Sequence, residues 1–214
     1  MINLKKVNIW EVILNIFITI IVISLYVFVT LYIYTNFRER KRKEVANKII
    51  EKVDKQVVHN KEEIKKDDLN NKVKTEIKTS YQGEKFTVLG KINIRKINIY
   101  QPILKENTKE AYDVASVKMS GPNLNTNGNV AIGGHNFMKG KFFIKLEKLV
   151  NNDIITITDL LGNKVNYYVY EYGKKSPEDP SYLIQPNNGN EKIITLVTCT
   201  KGGKERYYVK AKAK

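Results

Sequence analysis

The feature that most restricts this chain is an apolar run near its start, VILNIFITIIVISLYVFVTLYIY, from Val12 to Tyr34. As a helix with a rise of ~1.5 Å per residue it reaches ~34 Å, enough to cross a bilayer core of ~30 Å. Its few polar side chains, Asn15, Thr19, Ser24 and Thr30, can bond back to the helix backbone. Trp10 stands near one end and Tyr32 and Tyr34 at the other, where the aromatic belts of a spanning helix sit. The run is too long for the apolar segment of a signal peptide, and no small-x-small cleavage site follows it. We expect a short flank over residues 1–11 and an uncleaved single-span anchor over 12–34.

Lys and Arg number 37 against 22 Asp and Glu, a formal charge of +15. That balance favours an anionic partner: a lipid surface, an acidic polymer or a nucleic acid. The basic residues are spread along the chain rather than gathered in one aromatic-interleaved patch, which argues against nucleic acid. Lys5 and Lys6 flank one side of the anchor; Arg38, Arg40, Lys41, Arg42 and Lys43 flank the other. Counted alone, the larger cluster would retain the bulk of the protein in the cytoplasm.

Residues 35–80 are dense in both charge signs. Val45, Ile49, Val53 and Val57 recur every four residues, the spacing of a helix with one thin apolar stripe. Past Asn60 the pattern weakens. The expectation is a charged, partly helical stalk that holds a domain off the membrane, with a basic juxtamembrane stretch that can meet anionic lipid.

From Tyr81 the texture changes to short strand-like segments separated by turns such as Pro186-Asn187-Asn188-Gly189 and Gly202-Gly203. FTVLGKINI, INIYQPIL, NVAIGGHN, DIITITD, VNYYVYEY, EKIITLVTC and ERYYVKAKA all read as β segments, with short helical pieces at Thr108–Val117 and Phe143–Leu149. This pattern predicts an all-β barrel or sandwich over residues 81–214.

The chain has one cysteine, Cys199, at the end of KIITLVTC. It has no disulfide partner within the chain and cannot build a zinc site alone. If Gly202-Gly203 is the hairpin turn, Lys201 pairs with Lys204, Thr200 with Glu205 and Cys199 with Arg206. Directly opposed residues share a face, so Val197 and Tyr208 lie on the side of the thiol. Ile194, Leu196, Tyr207, Val209 and Ala211 lie on the other, the better core. The thiol is thereby turned from the core and set beside a guanidinium, which favours the nucleophilic thiolate. Arg cannot act as a base, but it can stabilise an oxyanion. Of the two histidines, His59 lies in the charged stretch as a solvated bystander, whereas His135 ends the run GNVAIGGHN.

These segments carry a family resemblance. GPNLNTNGNVAIGGHN is similar to the Gly-Asn-hydrophobic-Gly-His segment of sortases, TLVTC to their Thr-Leu-x-Thr-Cys signature, and an Arg follows on the next strand. The resemblance spans about residues 83–211 and implies a closed or nearly closed β-barrel of about eight strands. It implies Cys199 as nucleophile, His135 as general acid and base, and Arg206 as the oxyanion or substrate stabiliser. Thr198, Val197 and Tyr208 would line the substrate site. The activity implied is transpeptidation at the outer face of a Gram-positive membrane, opposite to the charge count. A surface protein bearing a Leu-Pro-x-Thr-Gly-like sorting signal would be cut between Thr and Gly through a thioester. It would then pass to a cell-wall precursor amine, or to a pilin lysine in polymerising relatives. The short segment Gly173–Lys192 leaves no room for the class B insertion. With no Asp-Pro-aromatic lid and no C-terminal span, class C is disfavoured. That leaves class A or class D, with the ending leaning towards D. MSGPNLNTNGN carries no carboxylate, so no calcium, other metal or cofactor is expected. The nearest rival is a hydrolytic cysteine protease, although papain-like enzymes place Cys before His. A membrane-tethered binder of wall polymer or nucleic acid is the non-enzymatic rival.

Overall fold

The computed structural model describes residues 8–65, 73–136, 142–187, 189–200 and 202–214. The expected Lys5–Lys6 flank, residues 66–72 of the expected stalk, and the Lys201–Lys204 pair lie outside them in whole or part. The chain divides into two compact units, Met1–Lys43 and Glu44–Lys214, and helix α1, Ile9–Lys65, contributes to both.

Within the first unit the helix is long and apolar enough to cross a membrane, with a mean hydropathy of 2.8 over its most apolar window and none of that window buried. Thr19 Oγ1 donates to Asn15 O at 2.7 Å and Thr30 Oγ1 to Tyr26 O at 2.9 Å. These hydroxyls therefore ask nothing of the surroundings, as an apolar solvent requires.

The second unit is built on nine strands. In chain order they are β1 Ile77–Tyr81, β2 Glu84–Ile94, β3 Ile99–Leu104, β4 Ser116–Ser120 and β5 Gly128–Gly133. Then come β6 Ile154–Asp159, β7 Lys164–Lys175, β8 Lys192–Cys199 and β9 Arg206–Ala213. The six-residue helix α2, Lys109–Val114, joins β3 to β4. The order β1-β2-β3-β4-β5-β8-β9-β7-β6, with β6 returning to β2, closes an eight-stranded barrel and leaves β1 as a ninth strand on β2. The first half of β2 pairs with β1 and the second with β6. The change of partner falls at Gly90, where the register shifts and a Cβ would stand 2.4 Å from Thr158 O. Only glycine lets the two backbones approach and the barrel close.

All seven expected strands are present. Two further strands, β1 and β4, were not expected as such. IKTSY lies in the charged stretch, and SVKMS follows directly on a helical pattern. The helix stops at Val114 because Ala115 is extended, with φ −158°. Ser116 is then buried with its hydroxyl donating to Gln101 Oε1 at 2.9 Å.

The barrel interior holds Ile92, Ile94, Ile103, Val130, Ile132, Ile157, Leu196 and Val209 with the buried ring of Tyr167. The 3-10 turn Phe143–Lys148 and the residue after it add Phe143, Leu146 and Leu149. Each such side chain contributes about 1.5–3 kcal/mol on burial. A second apolar cluster lies between α1 and the outside of the wall, joining Ile49 and Val53 to Phe86, Val88, Leu104, Ala111, Val114 and Val117.

That cluster corrects the expected boundary at residue 81. The stripe Val45, Ile49, Val53, Val57 is not the face of a free spacer, because it packs on the barrel wall. Polar contacts fix the docking. Lys91 Nζ bonds Asp54, and Lys91 also donates to Tyr100 Oη at 2.8 Å. The buried Asn60 donates to Lys74 O at 2.8 Å and Leu160 O at 2.7 Å and accepts from Gln56 Nε2 at 2.9 Å. Asn60→Ala strands two carbonyl acceptors and should lower unfolding stability by about 1–3 kcal/mol. Exposed Lys55→Ala should change it by less than about 0.5 kcal/mol. Urea unfolding of the full chain in detergent micelles measures both.

Candidate active site

β8 and β9 pair from Ile193↔Lys212 to Cys199↔Arg206, the register expected from sequence. The turn beyond is tightened by Gly203 N donating to Thr200 O at 2.8 Å and Thr200 N to Glu205 O at 2.9 Å. Parity along β8 then sorts the side chains as expected. Ile194, Leu196, Tyr207, Val209 and Ala211 face the interior, while Val197 and Tyr208 belong to a separate small cluster with Tyr182. Cys199 is a free, half-buried thiol at the strand's end. Beside it the Arg206 guanidinium is partly exposed and donates from Nη1 to Gly203 O at 3.2 Å.

His135 reaches this end of the barrel because β5 runs parallel to β8, from Gly128↔Lys192 to Gly133↔Val197. The residues around it tie the two strands beyond the ladder. Gly134 N donates to Val197 O at 3.0 Å, Thr198 Oγ1 donates to Gly134 O at 2.7 Å, and Asn136 Nδ2 donates to Cys199 O at 2.5 Å. The imidazole sits against Tyr112, centroids 5.5 Å apart, and edge-on to Phe142 at 6.0 Å. Its Nε2 lies 3.8 Å from Asp113 Oδ1. Close packing of α2 on the strand depends on Gly133, where a Cβ would meet the Tyr112 hydroxyl at 2.6 Å.

Burial first, and Cys199 second, push the Tyr112 phenol up to about 12. Burial also raises Tyr182, partly opposed by Arg206, with Cys199 adding a smaller push upward. The thiol is thus within electrostatic reach of Tyr112 and Tyr182, and both phenols stay protonated at neutral pH.

The segment between β7 and β8 is clamped from the strand that carries the Gly-Asn pair. Asn129 Nδ2 donates to Tyr182 O and Ile184 O, both at 3.2 Å. Gln185 exchanges hydrogen bonds with the Asn129 backbone at 2.7 and 2.9 Å, and Thr195 Oγ1 donates to Asn129 Oδ1 at 2.8 Å. Tyr182 stacks on Tyr208, centroids 5.5 Å apart and 15° from parallel. Tyr208 Oη donates to Glu171 Oε1 at 2.9 Å. Val197, Tyr208 and Tyr182, with Met119 and Leu183 against them, make a small buried apolar cluster on the thiol's side of β8.

Of the six residues singled out from sequence, Cys199, Arg206 and His135 are brought to one end of the barrel, with Val197 and Tyr208 alongside. Thr198 is buried, as Val197 and Tyr208 are. Its Cα partner is the core-facing Tyr207, and its hydroxyl donates to Gly134 O, tying β8 to the strand of His135. Sequence reasoning missed Asn129, Asn136, Tyr112 and Asp113. The two asparagines lie inside the quoted motif and carried a signal. The two α2 residues lie more than twenty positions upstream of His135 and carried none. Among the described residues, no three His, Cys, Asp or Glu side chains converge on a point that could hold a metal. A thiol, a guanidinium and an imidazole at one end of the barrel suit attack on a carbonyl, stabilisation of its oxyanion and proton exchange with an amine.

A family model described as a sortase domain matches residues 92–214. Sortase A of Bacillus anthracis is 28% identical over 129 residues, covering 59% of this chain and 60% of that protein. The chain therefore matches less than two thirds of that curated relative's length. A solved Clostridium perfringens Sortase D5 transpeptidase is 27% identical with a TM-score of 0.58, covering 81% of this chain and 98% of that one. Sortase A from Corynebacterium diphtheriae is 27% identical with a TM-score of 0.55, covering 59% of this chain and 60% of that one.

The Tyr112 phenol gives the site an alkaline signature. Below pH ~10 both folded and unfolded chains keep this proton. Between ~10 and about 12 the unfolded chain loses it and the folded chain does not, so unfolding is favoured as pH rises through that window. The urea midpoint should fall there, and Tyr112→Phe should flatten the fall. Urea unfolding of both proteins at stepped pH checks it.

Proposed function

The chain belongs to the sortase family, and from that premise we propose that it is a single-pass, membrane-anchored cysteine transpeptidase whose catalytic unit faces outward. The observation that carries the reading is the Cys199↔Arg206 pair at the β8–β9 end, to which the parallel β5–β8 ladder delivers His135. The Cys199 thiolate attacks the Thr carbonyl of a Leu-Pro-x-Thr-Gly-like signal. Arg206 donates to the tetrahedral oxyanion, and the His135 imidazolium gives its proton to the departing Gly amine, leaving a thioester. An incoming amine loses its proton to His135 as it displaces the thiol. The buried cluster of Val197, Tyr208 and Tyr182 backs the thiol's side of β8, beside which the signal is bound.

We assign the acceptor to a cell-wall precursor amine and the enzyme to a class D type. The class is supported by the near-complete coverage of the Clostridium Sortase D5 transpeptidase. The long apolar helix is the anchor, and the catalytic mechanism needs no metal or cofactor.

Incubation with a Leu-Pro-x-Thr-Gly peptide and triglycine or hydroxylamine tests the chemistry by mass. The expected products are the thioester on Cys199 and the amine adduct. Cleavage that ignores the amine would identify a hydrolase, and a lysine-only acceptor would identify a pilin polymerase. Cys199→Ala should abolish both products. Arg206→Ala should lower kcat about 10²–10³-fold, and Lys at that position should recover little, lacking the planar fork. The location is tested separately. A membrane-impermeant thiol reagent should label Cys199 in intact cells after wall removal; labelling only after lysis would reverse the topology.

A further inference from the structure

A proton donor to a leaving amine must be an imidazolium, and His135 reaches this end of the barrel packed against the rings of Tyr112 and Phe142. The titratable groups on the elements at this end include Tyr112 and Asp113 on α2, both against the imidazole, and Cys199 on β8 and Arg206 on β9. Phe142 adds only an apolar ring edge. Tyr112 keeps its proton at neutral pH and brings no charge. The carboxylate beside the imidazole is Asp113, with Oδ1 3.8 Å from His135 Nε2.

The helix that carries it is placed for this contact. Ala111 and Val114 are sunk in the apolar cluster outside the barrel wall. Thr108 Oγ1 accepts from Ala111 N at 3.3 Å and caps the first turn. With positions 111 and 114 turned into the wall, 112 and 113 face the end of β5. The Tyr112 ring lies on the imidazole, its hydroxyl seated in the space that Gly133 leaves open. Tyr112 and Asp113 thus meet His135 as a preformed pair, one supplying a wall and the other a charge.

Building on the transpeptidase reading, we infer that Asp113 is a positioning residue that holds His135 as the imidazolium and turns its Nε2 away from the substrate. Nδ1 is then the nitrogen that exchanges the proton with the departing and incoming amines. Asp113 touches no reacting atom, so it acts on the fraction of enzyme in the productive protonation state rather than on substrate affinity.

The chain has only two histidines, so NMR titration of the ring resonances on the full chain in detergent micelles reads His135 directly, with His59 as internal reference. In Asp113→Asn the His135 midpoint should move to lower pH by about half a unit or more, as expected on losing an opposite charge at this distance. His59 should not move. In the transfer assay kcat should fall about 3- to 10-fold at neutral pH with KM unchanged. The limb of the kcat/KM profile set by the imidazole should shift to lower pH. Asp113→Glu should recover most of both effects, and Glu110→Gln, on the same helix, should cause neither. An unmoved His135 midpoint in Asp113→Asn would overturn the inference. Should that variant fail to fold, the wild-type midpoint must fall as salt is raised from about 0.05 to about 1 M, and an unmoved one overturns it equally. The NMR result stands whether or not any peptide is transferred, so failure of the transpeptidase reading is seen separately.

Discussion

The parallel ladder between β5 and β8 is the constraint on which the site depends. Its six pairs from Gly128↔Lys192 to Gly133↔Val197 bring together residues about sixty positions apart. Parallel neighbours cannot be joined by a tight turn and need a long crossover. Here the crossover contains the 3-10 turn that plugs the barrel, then β6 and β7, which complete the wall. Pairing β5 with β8 and closing the barrel are thus one event. It ends with His135 and Cys199 on adjacent strands, cross-tied through Gly134, Thr198 and Asn136.

Closure has its own local requirement. β2 must leave β1 and take up β6 within a few residues, and the bulge at Gly90 is where it does so. The same strand carries Val88 into the outer cluster and Ile92 into the barrel interior. The bulge therefore also sets which apolar residues meet α1 and which fill the core. Helix α1 is part of this second unit from Glu44 on. Its docking combines a thin apolar stripe with one buried amide, Asn60, that satisfies carbonyls from two different loops.

Around the thiol the same pieces that build the wall set the electrostatics. Arg206 is there because β9 must follow β8 in antiparallel register. Tyr112 and Asp113 are there because β3 joins the parallel β4 through α2. The stacked Tyr182–Tyr208 pair holds the β7–β8 segment against the barrel, and Asn129 fastens its descending limb. A substrate would meet a surface already ordered by these contacts, which lowers the ordering cost of binding.

How much of this was legible follows from how local each signal is. The long apolar helix, the seven expected strands and the Cys199–Arg206 register depend on runs of adjacent residues and one hairpin, and the chain states them in order. The resemblance of the His135 segment and TLVTC to sortase motifs, likewise local, led to the family. β1 was hidden because its short polar strand is stabilised by β2 rather than by its own pattern. β4 was hidden because it continues a helical spacing without a break. The stalk stripe looked like a free helix because nothing in its sequence names the wall it covers. The bond from Thr198 to Gly134 O was hidden because strand parity gives a face but not the partner waiting across the next strand. By itself the sequence determined the apolar helix, the all-β class and the identity of the thiol, guanidinium and imidazole, since composition and period decide these. Only the tertiary structure decided that Asp113 stands beside His135, that Asn129 and Asn136 clasp the site, and that residues 44–65 belong to the fold. Each of those contacts joins chain segments that only barrel closure brings together.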